Sequence, residues 1–83
     1  MLSRGEPVRV GVVFGPGSSI RPVWFDRKGR QHRVATVTYV WHEREGATTT
    51  IHFTVTVRDE NTLYELVFDT SRQGWSLAAL ETQ

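Results

Sequence analysis

The chain has 83 residues and no cysteine, with 39% hydrophobic residues, 23% charged residues and a net charge of +1. This length holds one domain, 1–83, whose thin core buries roughly 60–65% of the surface the unfolded chain exposes. The absence of cysteine excludes disulfides, thiolate metal sites and a cysteine nucleophile. No run approaches the ~20 apolar residues of a membrane-spanning helix, and the first six residues lack the apolar stretch of a signal peptide. The expectation is a cytoplasmic protein without cofactor or membrane partner.

In chain order, residues 1–7 are expected to be flexible and residues 8–14 are a candidate first strand. Gly15-Pro16-Gly17-Ser18-Ser19 is a connector. It lacks the Gly-Lys-Ser/Thr ending of a phosphate loop, and no helix pattern follows to aim its amides. Residues 20–25 and 30–41 read as strands joined by a type I turn closed by a bulge at Gly29. Pro22 favours an edge position or a strand start for the first of these, because proline cannot donate to a ladder. Val34 and Val37 are three apart, which predicts a bulge between them.

The clearest strand is 50–58, where Ile51, Phe53, Val55 and Val57 alternate with Thr50, His52, Thr54, Thr56 and Arg58. Period two means one dry face and one wet face. A turn at Glu45-Gly46-Ala47-Thr48 returns from the preceding strand, so that Val37, Tyr39 and Trp41 are expected beside Phe53, Val55 and Val57 on the dry face. A tight turn at Asp59-Glu60-Asn61-Thr62, with Asn61 at positive φ, pairs Tyr64 with Val57, Leu66 with Val55 and Phe68 with Phe53. A last turn at 70–74 sets Trp75 beside Phe68 and Leu77 beside Leu66. Trp41 and Trp75 are therefore expected in the core. The predicted fold is all-β, a five- to six-stranded antiparallel meander curled into a small barrel or half-barrel.

Several of these segments form a wider pattern. Glu6-Pro7-Val8, Pro22-x-x-Phe25-x-x-x-Gly29-Arg30, Val34-x-x-Val37-x-x-x-Trp41, Tyr64-Glu65-Leu66-x-Phe68-Asp69 and Trp75-x-Leu77 together resemble a small family of uncharacterised bacterial all-β domains. The resemblance covers about residues 6–80. Such domains occur free-standing or in association with translesion-type DNA polymerase proteins, which implies an accessory role near DNA repair. The family supplies no catalytic residues. His32 stands where its members place an aromatic residue, and a further tryptophan that they often carry in the following hairpin is missing.

Charge is unevenly distributed. Residues 1–44 hold eight Lys/Arg against three Asp/Glu, and residues 45–83 hold two against six. Arg21, Trp24, Arg27, Lys28, Arg30 and Arg33 combine charge for phosphates with a flat ring for bases, the needs of a single-stranded nucleic-acid site. The competing reading is a protein partner, or a second copy of the chain, held on the face opposite the core. There Val40, Leu63, Val67 and Leu80 would form an apolar patch in an open sheet.

His32, His42 and His52, spaced ten apart, are expected to face solvent rather than hold a metal, since zinc needs three or four converging ligands. Asp26, Glu65 and Asp69 fall on different hairpins, and no catalytic motif surrounds any serine. The sequence thus predicts a non-catalytic interaction module, protein-binding or self-associating. The alternative is a nucleic-acid-binding accessory domain.

Overall fold

A computed structural model describes residues 5–82, apart from the side chains of Ser18 and Thr82. The strands are β1 (Glu6–Pro7), β2 (Arg9–Phe14), β3 (Ile20–Arg27), β4 (Arg30–Glu45), β5 (Thr48–Val57), β6 (Thr62–Asp69) and β7 (Gly74–Thr82), with a 3-10 turn at Pro16–Ser18. They form one antiparallel sheet in the order β1-β7-β6-β5-β4-β3-β2. The sheet curls through 216° into a half-barrel whose edges lie 7 Å apart. Of residues 1–7, expected to be flexible, the first four lie outside the described residues, and Glu6 and Pro7 pair with Leu77 and Ser76. The Val8 N–H then bonds the Trp75 carbonyl at 3.2 Å before the chain crosses to β3, so one N-terminal run ties both edges together.

The turns follow local chemistry. Lys28 and Gly29 both have positive φ, 52° and 76°, and Arg27 pairs with Arg30. This is a two-residue type I′ hairpin, whose twist suits the flanking strands, and not the type I turn with a bulge. Glu45 pairs with Thr48 around Gly46 as expected. Between β5 and β6 the positive φ falls on Asp59 at 64°, not Asn61. That longer loop moves the register by two: Val55 meets Tyr64, Phe53 meets Leu66 and Ile51 meets Phe68. An even shift leaves every face unchanged. Phe68 beside Trp75 and Leu66 beside Leu77 are as predicted.

The core is Phe25, Phe53, Val55, Val57, Tyr64, Leu66 and Leu77, with Trp75 packed at its margin against Phe53 and Phe68. The bulge expected between Val34 and Val37 is present, and a second one follows between Val37 and Tyr39. That second bulge overturns two placements. Tyr39 and Trp41 pair with Thr54 and His52 on the outer face, because one inserted residue exchanges the faces of everything beyond it. Trp41 is therefore no core residue.

A further departure lies between β3 and β4. They pair only from Trp24–Arg33 to Arg27–Arg30. Pro22 cannot donate to a ladder, and the pairing stops before reaching it. Beyond Arg33, β4 runs on to Glu45 with β5 on one side and no strand on the other among the described residues.

Candidate functional site

The six basic-aromatic residues divide among four places. Trp24 pairs with Gly11 and Arg33, and Arg21 with Val13, on the outer face. The indole lies directly on Gly11, so close that a Cβ there would overlap Nε1 and Cε2. The Arg9 guanidinium stands 5.7 Å above the ring, and Arg9 is itself paired with Asp26 at 3.0 Å. Packed on the strand and already engaged by a cation, the ring is a poor platform for base stacking. Arg27 points to the barrel end, where its buried Nε lies 3.7 Å from Glu6 and makes no hydrogen bond among the described residues. Lys28 caps the hairpin. Arg30 and Arg33 border a shallow cleft of about 250 Å³ with Arg58, but Asp59 and Glu60 line it too. Gly11→Ala is expected to swing Trp24 off β2, red-shifting the tryptophan emission and lowering stability by about 1–3 kcal/mol. An unchanged spectrum and urea midpoint would count against this packing.

Two histidines do not face solvent. His32 is only 9% exposed, stacked on Phe25 at 5.0 Å, with Nδ1 2.8 Å from Glu60 Oε2. The Tyr64 hydroxyl donates to Glu60 Oε1 at 2.7 Å. One carboxylate thus serves two groups that the core has taken from water. The Tyr64 bond, opposed by burial and assisted by His32, holds the Glu60 carboxyl below its usual range. Burial first, and then the Glu60 carboxylate, push the Tyr64 phenol up to about 12. The sequence signal for this cluster was hidden, because Glu60 sits in a turn where an acidic residue is ordinary.

The second histidine belongs to the outer face. His52 Nδ1 lies 2.8 Å from Glu65 Oε2, and Nε2 lies 3.0 Å from Thr50 Oγ1. The order hydroxyl, imidazole, carboxylate is that of a proton relay. Here, however, Thr50 and His52 are two apart on one strand, so strand geometry alone brings them together. Trp41 stacks on the imidazole at 4.8 Å and 16°, and its Nε1–H donates to Glu43 at 3.1 Å. The cluster's evident effect is to fix the Trp41 ring. Tyr39 leans on that ring at 5.3 Å. An open groove of about 650 Å³ runs beside the cluster between Glu43, Thr50, His52, Asp69 and Arg72. His42 pairs with Ile51, so the two histidines of this hairpin do not face each other. No group of three or more His, Asp or Glu suited to a metal occurs among the described residues.

The four apolar residues expected to share one patch are split by the bulges. Leu63 and Val67 pair with Thr56 and His52 on the outer face, whereas Val40 and Leu80 pair with the core residues Phe53 and Tyr64. Val40 is nevertheless 45% exposed, and Tyr39 64%, because both lie where β3 has left β4. Comparison with family models, with curated proteins and with solved structures finds no match.

Proposed function

We propose that the chain is a non-catalytic interaction module that binds a protein strand along the free edge of β4. One observation carries this reading: from Val34 to Glu45 the strand is paired by β5 alone, while exposed Tyr39 and Val40 mark its centre. An unpaired edge offers a row of N–H and C=O groups to any extended segment. Natural edges are commonly kept short or charged throughout. This one is long, and its charges, Glu43, Arg44 and Glu45, are confined to one end.

Two measurements separate this function from nucleic-acid binding. A photo-crosslinking residue at position 39 in living cells is expected to give a protein adduct that the same residue at position 28 does not. Labelled single-stranded DNA titrated at low salt is expected to show no binding at high micromolar protein. Micromolar affinity that weakens about tenfold or more as salt is raised to physiological strength would move the function to the arginines.

A further inference from the structure

We infer that His52 is a proton switch for the aromatic pair on β4: its protonated form locks the Trp41 ring, and its neutral form loosens it. The consequence for partner binding rests on the reading that the β4 edge receives a strand. The switch itself does not.

The hydrogen bonds define the neutral state. A carboxylate can only accept, so the 2.8 Å contact between His52 Nδ1 and Glu65 Oε2 places a proton on Nδ1. In the neutral ring Nε2 then carries a lone pair, which accepts from the Thr50 hydroxyl at 3.0 Å. Glu43 Oε1 lies 3.6 Å from the same nitrogen, beyond hydrogen-bond distance and facing that lone pair. The Glu43 carboxylate is 62% exposed, and its hydrogen bond among the described residues is the one from Trp41 Nε1–H.

Protonation reverses the Nε2 end. Nε2–H becomes a donor, the Thr50 hydroxyl turns to accept, and the Glu43 carboxylate now faces an opposite charge. A small rotation of Glu43 closes the gap into a charge-assisted hydrogen bond. The ring faces act in the same direction. Trp41 stacks on the imidazole with centroids 4.8 Å apart and 16° between the planes, where an imidazolium is attracted to the indole. The indole is then tied at its edge through Glu43 and on its face through His52.

The surroundings leave these groups in control. His52 is only 12% exposed, so salt and water screen its contacts weakly. The charged groups facing it are Glu43 from β4 and Glu65 from β6. Its pair partners Trp41 and Val67, and Ser76 beyond Val67 on β7, are uncharged. Glu45, Asp69 and Arg72 border the adjoining groove, where Asp69 already accepts from the Ser71 and Arg72 amides.

Tyr39 leans on Trp41 at 5.3 Å, so locking one ring steadies the pair beside the unpaired part of β4. A ring ordered in advance loses less entropy when a partner arrives. Binding at this edge therefore tightens as pH falls through the His52 transition.

The test is 15N relaxation of the indole Nε1–H groups, recorded with the histidine ring signals from about pH 8 to about pH 5. The Trp41 order parameter should rise toward the ~0.85 of rigid groups, with the midpoint of the His52 ring nitrogens. A nearby charge acting through space alone would shift the signal without raising the order parameter. His52→Gln cannot gain the charge and should leave the order parameter flat. Glu43→Gln keeps an acceptor for the indole but not the attraction to the imidazolium, and should remove most of the rise. His42→Gln should change nothing, because His42 pairs with Ile51 away from this cluster.

A Trp41 order parameter that ignores the His52 transition, or a rise that survives in His52→Gln, overturns the switch. The crosslinked adduct at position 39, formed in cell extract on either side of the transition, judges binding separately. It should be about fivefold stronger on the acid side. A relaxation step with no adduct overturns the edge reading and keeps the switch, whereas equal adducts at both pH values overturn the coupling between them.

Discussion

Phe25→Ala should lower the unfolding free energy by about 3–5 kcal/mol, a large share of the ~5–15 kcal/mol typical of whole domains. Phe25 is fully buried and among the largest side chains of the core. Its ring is also the surface on which His32 stacks and against which Tyr64 sets its edge, both at 5.0 Å. Removing it opens a cavity under two polar side chains. In an 83-residue chain without disulfides little else can compensate. The expected result is a thermal midpoint about 15–30 °C lower, or no cooperative transition. Leu80→Ala, at an exposed position, should stay within about 0.5 kcal/mol of the parent. Comparable losses for the two would show that the core is not centred where the packing places it.

The second large effect is expected from Glu60. Glu60→Ala leaves the His32 ring and the Tyr64 hydroxyl, both buried, without the carboxylate they share. Each stranded group costs about 1–3 kcal/mol, so a loss of about 2–4 kcal/mol is expected in urea unfolding.

The pH dependence distinguishes this network from simple packing. The folded-state pKa of Glu60 is depressed, so its contribution is present above the unfolded carboxylate value, about 4.3, and is lost as pH falls through the lower folded value. For Tyr64 the sign is opposite. Its folded pKa is raised to about 12. That contribution is complete below the unfolded value of about 10 and is lost as pH rises from there through the folded value. Tyr64→Phe should remove the alkaline loss, and the difference in tyrosinate absorbance between parent and variant should develop near pH 12. A difference signal centred near pH 10 would mean that the hydroxyl is not held as described.

Much of the fold was legible from period-two patterning. Phe53, Val55 and Val57 alternate with polar neighbours, Leu66 and Leu77 each follow a polar residue, and every element between them is bounded by a turn residue. Each of these signals is local, and they agree with one another. The shifted register at the β5–β6 loop did no harm, because the shift was even and preserved the faces. The mistakes arose where a single inserted residue mattered. The bulge beyond Val37 sends Tyr39 and Trp41 outward, and nothing in the alternation of Val37, Tyr39 and Trp41 announces it.

The candidate site was less legible than the fold, for a related reason. The sequence marks Val40 as an interface residue, but as part of a patch with Leu63, Val67 and Leu80 that the bulges divide. Period-two alternation assigns Tyr39 to the core. The feature that joins Tyr39 and Val40 is the parting of β3 from β4, and only its cause is visible in the sequence, as Pro22.

By itself, then, the sequence determined the strand class, the meander, most turn positions and the identity of the central core, since each depends on neighbours along the chain. Only the tertiary structure decided which face Trp41 occupies, that His32 is buried over Phe25, and that β4 keeps a free edge. Those depend on what lies across the sheet. A one-residue bulge or an interrupted ladder is set by the fit of distant strands, and local patterning carries no record of it.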